Sequence, residues 1–226
     1  MITAAIFASM IFQQGTKIPD QDPTKPAPQS KDRKVVVLPW GLAAATEEAQ
    51  ETVRKTVRLM LEKANYEVIP EARAKRVWEE DMAQPAIKLY IDHENGLTDL
   101  PTPKNLLTLG EKLEADLVCA GRAKWHTKSV WVNLGPKTKA ECTVDMILID
   151  VKLKEVVLKV EDMKADSTRS ESGLETAGAV LVSMGITSLS GGPKTPHQKR
   201  AGAVAVALAF DPWLKTMAAA KRKIGD

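Results

Sequence analysis

Two cysteines in 226 residues, Cys119 and Cys142, are too few for a disulfide framework. Neither belongs to a Cys-x-x-Cys pair or to a Cys/His spacing of the kind that binds zinc. Charge of one sign is equally scarce. The 32 Lys and Arg stand against 29 Asp and Glu, a formal net charge of +3, and they are scattered rather than clustered, so no nucleic-acid footprint stands out. The one basic cluster, Lys221-Arg222-Lys223, reads as a solvated helix end, where cations suit the macrodipole. No apolar run reaches the ~20 residues that span a bilayer as a helix. Residues 174–189, LETAGAVLVSMGITSL, come nearest with 16 residues, but they contain Glu175 and read as a helix buried on a sheet or in an oligomer contact. No internal repeat is present.

Catalytic patterns are missing as well. The three histidines, His93, His126 and His197, lie far apart and have no partner at metal-ligand spacing. Asp92, His93 and Glu94 would ligate a metal only with help from another segment, and as they stand they form a solvated turn. The stretch SLSGGPKT, Ser188 to Thr195, has Pro193 before Lys194 and follows a helical pattern instead of a strand, so both the donors and the context of a phosphate loop fail. Neither a Gly-x-Ser-x-Gly elbow nor a Cys/His pair with local support occurs. No catalytic, cofactor-binding or metal-binding residue is assigned, and no cofactor is implied.

What is present is an ordinary globular composition, 44% hydrophobic and 27% charged, after an unusual start. The run Ile2 to Phe12 has the length of a signal-peptide core, so residues 1–15 read as signal-peptide-like and point to export. No Lys or Arg follows Met1, Gln13-Gln14-Gly15 is a poor cleavage site, and no cysteine offers a lipid anchor. Residues 16–33 carry four prolines and few large apolar side chains, the composition of a flexible linker. A single domain is expected over residues 34–226.

Within it, Lys34 to Trp40 is a continuous apolar run ended by Pro39, a strand buried on both faces. Thr46 is placed as a cap. Ala49, Val53, Val57, Met60, Leu61 and Ala64 then recur at helical steps to a left-handed stop at Asn65, and Tyr66 to Pro70 is a second strand. Strand, helix and strand in this order predict a parallel unit. Glu71 to Asp81 reads as a helix with Ala74, Val77 and Trp78 inward, and residues 83–100 read as irregular. Thr102-Pro103 starts a helix with the stripe Leu106, Leu109 and Leu113.

Three strands follow as an antiparallel meander, Asp116 to Asn133, Lys139 to Asp150 and Glu155 to Ala165. The last helix, Lys199 to Met217, is predicted to break at Asp211-Pro212. The fold class is therefore α/β (α+β), a single mixed sheet of about five strands covered by helices.

Two pairs of residues test strand register. Trp125 and Trp131 share a face of one strand near Lys124, His126 and Lys128, which suits packing beneath a helix better than stacking nucleic acid. A turn at Leu134 to Lys137 sets Cys142 near Val130 and Cys119 roughly 35 Å along the strand, so two free, buried cysteines are expected.

The series VVVLPW, then NYEVIP, then LGEKLEADLVCAG, then the hairpin ending MILIDVKLKEVVLKV resembles the small α/β domain shared by bacterial envelope proteins. Its members include the curli-secretion lipoproteins and the amino-terminal domain of the Tol-Pal system protein TolB. Leu113-Glu114-Ala115-Asp116 stands where those proteins have "lGAD", and Asp150 to Val157 stands where they have "DvkTGevv". Glu114 and Lys154 thus occupy two glycine places of the pattern. The likeness covers residues 34–165. It implies a periplasmic or secreted, non-enzymatic module that binds other proteins or assembles with itself, with no nucleic acid and no stable membrane span. The alternative is a small-ligand or enzymatic domain with a cleft at the strand ends, rimmed by residues 83–100 and 134–138.

Overall fold

The computed structural model describes residues 33–82, 91–92, 96–97, 99–132, 135–167 and 194–225. The signal-like segment 1–15, the linker up to residue 32 and the helix expected at 174–189 lie outside the described residues. The chain forms β1 (Lys34–Val37), β2 (Gly41–Ala43), α1 (Glu47–Lys63), β3 (Glu67–Ile69) and α2 (Glu71–Arg76), which runs on as a π-helical turn Val77–Asp81. Then come β4 (Ile91–Asp92), β5 (Gly96–Leu97), α3 (Pro103–Lys112), β6 (Leu117–Val132), β7 (Gly135–Asp150), β8 (Glu155–Asp166) and α4 (Lys194–Gly225).

The main sheet has the order β3-β1-β6-β7-β8, with β2 also paired to β6. β1 runs parallel to β3 and β6, while β6, β7 and β8 form the expected antiparallel meander. The sheet separates two apolar layers. Val35, Cys119, Val144, Met146 and Leu148 face α1 and α4, whereas Val36, Val118, Ile147 and Ile149 face α2 and α3. Beyond α3 the second face of β7 is continued by Asp145, Thr143 and Glu141, none of them fully buried. This is why the strands read as continuously apolar at one end and alternating at the other.

Residues 34–40, expected as one strand, are two. Val37 pairs with Cys119 and Gly41 with Arg122, so three residues on this side oppose two on β6. Pro39, which has no N–H to give a ladder, sits in that bulge. The extra residue reverses the alternation: Leu38 belongs to the α2/α3 layer and Trp40 to the α1/α4 layer. Trp40 then lies against β6 at Gly121, where any Cβ would overlap its indole.

The opening likeness resolves into a joint between elements. Glu114 (φ 51°) and Lys154 (φ 56°) both adopt the left-handed conformation that glycine takes without strain, at the two places where the envelope-protein pattern has glycine. Asp116 accepts from the Lys34 amide at 2.8 Å and pairs with Lys152, while its own backbone binds Lys34 and Val151. Its partial burial raises its pKa, but these hydrogen bonds outweigh that effect and hold the carboxyl below its usual range. Asp150 Oδ1 accepts from the Leu153 amide at 2.9 Å and closes the turn into β8.

Three local expectations are corrected. The β6–β7 turn lies between Val132 and Gly135, not at 134–137, because Pro136 is accommodated at the start of β7, where β8 does not yet run alongside. The last helix begins at Lys194 and passes through Pro212 unbroken. Pro196 falls in the first turn, where amides have no helical partner anyway, and burial of Phe210 (0% exposed) and Trp213 (6%) offsets the ~3 kcal/mol cost of Pro212. Residues 91–92 and 96–97, expected to be irregular, pair as a short antiparallel ladder.

The Thr46 hydroxyl makes no cap bond; the Thr46 amide donates instead to Gln198 Oε1 at 2.9 Å. The fully buried Gln198 also donates from Nε2 to the Ala44 carbonyl at 3.1 Å and the Thr127 hydroxyl at 3.0 Å. Its carbonyl accepts from Trp125 Nε1 at 2.9 Å. Gly202, one turn on, lies so close to Trp125 and Val53 that no side chain fits between α4, α1 and β6.

Gln198→Ala should therefore cost about 2 kcal/mol in urea unfolding, since it removes a fully buried side chain and its part-buried bonds to the Thr46 amide, the Ala44 carbonyl and the Thr127 hydroxyl. Glu114→Gly should gain about 1 kcal/mol by removing left-handed strain at an exposed position, and a loss of stability would contradict the strained geometry assigned to it.

Candidate functional site

Among the described residues, the side chains that carried candidate chemistry do not converge. Asp92, His93 and Glu94 have no described side-chain positions, nor does Trp131, and Ser188 to Pro193 lie outside the described residues. His126 is exposed on β6 opposite Glu141. Trp125 is buried and bonded to Gln198, so it stacks in the core and cannot stack a base. Among the described residues no group of His, Cys, Asp and Glu is arranged to hold a metal, and no helix is long and apolar enough to cross a membrane.

Both cysteines are free and buried. Cys142 lies opposite Trp125 rather than Val130, so the register separates it from Cys119 by six residues, about 20 Å and not 35. Burial pushes the Cys119 thiol up to about 12, the indole N–H of Trp40 beside it only partly opposing the shift, and burial raises Cys142 further. Neither forms a thiolate nucleophile at neutral pH.

His197, in the first turns of α4, is buried, with Nδ1 3.1 Å from the Ser167 hydroxyl. Ser167 also accepts from the Ala140 amide at 3.2 Å. The pair resembles a nucleophile and base, but both are covered and the serine is engaged by the backbone. It ties α4 to the end of β8.

A groove of about 530 Å³ lies between the start of α3 and the outer face of β6–β8. Ile147, Val156 and Pro101 give it an apolar lining. Val156 is 43% exposed, and with Leu153 (65%) in the preceding turn it is a large hydrophobic group left open to solvent. At the groove wall Arg122 Nε meets Asp145 Oδ2 at 2.6 Å and the guanidinium reaches Asp99 at 3.8 Å.

Asp145 also fixes the shape of β8. Val144 pairs with Met163 but Met146 with Val160, so Asp145 alone opposes Glu161 and Asp162. The extra residue, Asp162, is left-handed (φ 54°), and its amide donates to Asp145 Oδ1 at 2.7 Å. A second irregularity between Leu148 and Ile149 sets Val157 out of register. β8 ends the sheet among the described residues, and two bulges interrupt its outer edge. Sequence reading missed this surface because its members come from four elements and no single stretch shows a pattern.

No protein-family model matches the chain, and no curated protein does. Solved structures do resemble it. The lipoprotein GNA1162 from Neisseria meningitidis is 14% identical, with a TM-score of 0.40 over 69% of this chain and 99% of the other. The PelC dodecamer from Paraburkholderia phytofirmans is 14% identical, with a TM-score of 0.36 over 80% and 88%. The LpoB C-terminal domain from Salmonella enterica is 13% identical, with a TM-score of 0.34 over 58% and 80%.

Burial lowers the His197 pKa below its ordinary 6.5, so folding favours the neutral ring. Its contribution to stability should be complete above pH 6.5 and lost as pH falls through the lowered value. Urea midpoints measured from pH 7.5 downward should fall in the wild type and less steeply in His197→Gln; equal slopes would remove His197 from the account.

Proposed function

We propose that this chain is an exported, non-enzymatic module of the bacterial envelope that acts through protein contact, self-association included. The export reading rests on the apolar segment at residues 2–12, and the setting rests on the likeness at residues 34–165 to the curli-lipoprotein and TolB amino-terminal domains. The observation that carries contact as the mode of action is the groove at Val156. It combines an exposed apolar lining with a charged rim of both signs, Asp99, Arg122, Lys159 and Glu161. Such a surface fits an apolar anchor surrounded by polar contacts. Asp145 is occupied with Arg122 and with the backbone of β8, a positioning role rather than a chemical one.

Sedimentation of the full chain over a range of concentrations should show reversible association, weakened at least tenfold by Val156→Lys with the melting temperature little changed. Crosslinking in cells, with fractionation and mass spectrometry of the mature amino terminus, reads the envelope assignment separately. A strictly monomeric chain that crosslinks to no envelope protein would overturn the proposal.

A further inference from the structure

The sheet has a second concavity, on the opposite side of β6 from β8. β1 and β3 are adjacent and parallel; the chain leaving β1 bulges at Pro39 and stays in the sheet as β2 before reaching α1, while the chain leaving β3 turns at Pro70 into α2. A crevice of about 390 Å³ lies at the carboxyl ends of the two strands, against α1. In open α/β sheets small ligands bind outside the carboxyl ends of the strands. The alternative reading of the sequence is a strand-end cleft rimmed by residues 83–100 and 134–138, most of which lie outside the described residues. The crevice is lined by α1 and by the ends of β1 and β3 with the residues that follow them.

The lining has a definite chemistry. Val37, Trp40, Val57 and Val68 make it apolar, and Pro39 and Pro70, one after each strand, present no backbone N–H. The polar groups are segregated. Arg54, Lys55 and Arg58 line the α1 wall with Glu51, and Glu71 stands on the lip after β3. Arg54 and Lys55 share the single Glu51 carboxylate at 3.7 and 3.6 Å, both longer than a direct hydrogen bond. Arg58 contributes Nε to Glu62 at 2.7 Å. The α1 wall thus carries three cations, two of them loosely held, above an apolar floor of ligand size.

We infer that this crevice binds a small organic anion, a carboxylate, phosphate or sulfonate group on an aromatic or aliphatic body. The anionic group takes Arg54 and Lys55 from Glu51, and the body lies over Trp40 between the two prolines. The site is independent of the groove at Val156 and involves no covalent step.

The probe is 8-anilinonaphthalene-1-sulfonate titrated into the folded full chain, with uncharged N-phenyl-1-naphthylamine as comparator. One saturable site is expected, binding the sulfonate at least tenfold tighter than the uncharged dye and releasing it to octanoate. Arg54→Glu with Lys55→Glu should weaken the sulfonate at least tenfold and the uncharged dye little. Both side chains are substantially exposed, and Lys55→Glu alone, with a smaller loss, serves if the double variant does not fold. Val156→Lys should leave the dye affinity unchanged whatever it does to self-association. Three results would overturn the inference: no saturable site, an affinity unmoved by charge reversal on α1, or a loss in Val156→Lys. Displacement by an acidic peptide but not by octanoate would overturn the small-molecule assignment.

Discussion

One side-chain amide ties the last helix to the loop before α1 and to β6. Gln198 has no exposed surface, and its carbonyl oxygen and both donors are used, by the Thr46 amide, the Ala44 carbonyl and the Thr127 hydroxyl. A buried amide is tolerable only when satisfied in this way, and when satisfied it specifies one arrangement. It sets the rotation of α4 about its axis, which places Gly202 against Trp125 and brings Phe210 and Trp213 onto the core beside Tyr66. It also explains why Ala44 holds a left-handed backbone (φ 59°), since that residue presents the carbonyl that Gln198 needs.

The sequence was readable where one period ran long enough to be counted. The stripe of α1 and the alternation Cys142, Val144, Met146, Leu148 both face the layer they should. Reading failed where one residue changed the outcome. Pro39 splits a strand and sends Leu38 and Trp40 to opposite faces, a reversal that an apolar run conceals because both faces are apolar there. Pro212 points the other way: a local breaker is overridden by the aromatic packing on either side of it. The hairpin was misplaced because Gly135-Pro136 is a strong turn signal, yet the register of sixteen paired positions fixes the turn two residues earlier.

The segments that carry the envelope-protein likeness have roles that explain why they recur together without implying an activity. Leu113 to Asp116 and Asp150 to Val157 meet in space, where Asp116 binds the start of β1 and the turn after β7. Two of their residues, Glu114 and Lys154, hold the left-handed backbone that glycine takes without strain. These segments serve the chain path, and the two surface concavities lie elsewhere, at the groove beside β8 and at the carboxyl ends of β1 and β3.

The Asp162 bulge bears on how copies of this chain could be joined. A regular outer strand offers a ladder of amides and carbonyls to any neighbour, and growth by that ladder has no natural end. Here Asp145 draws one amide of β8 inward and the strand is irregular at two points, which interrupts such a ladder along β8. Copies joined across β8 would be held by side chains, whose geometry fixes angle and number. That is the difference between an assembly of defined size and a fibre.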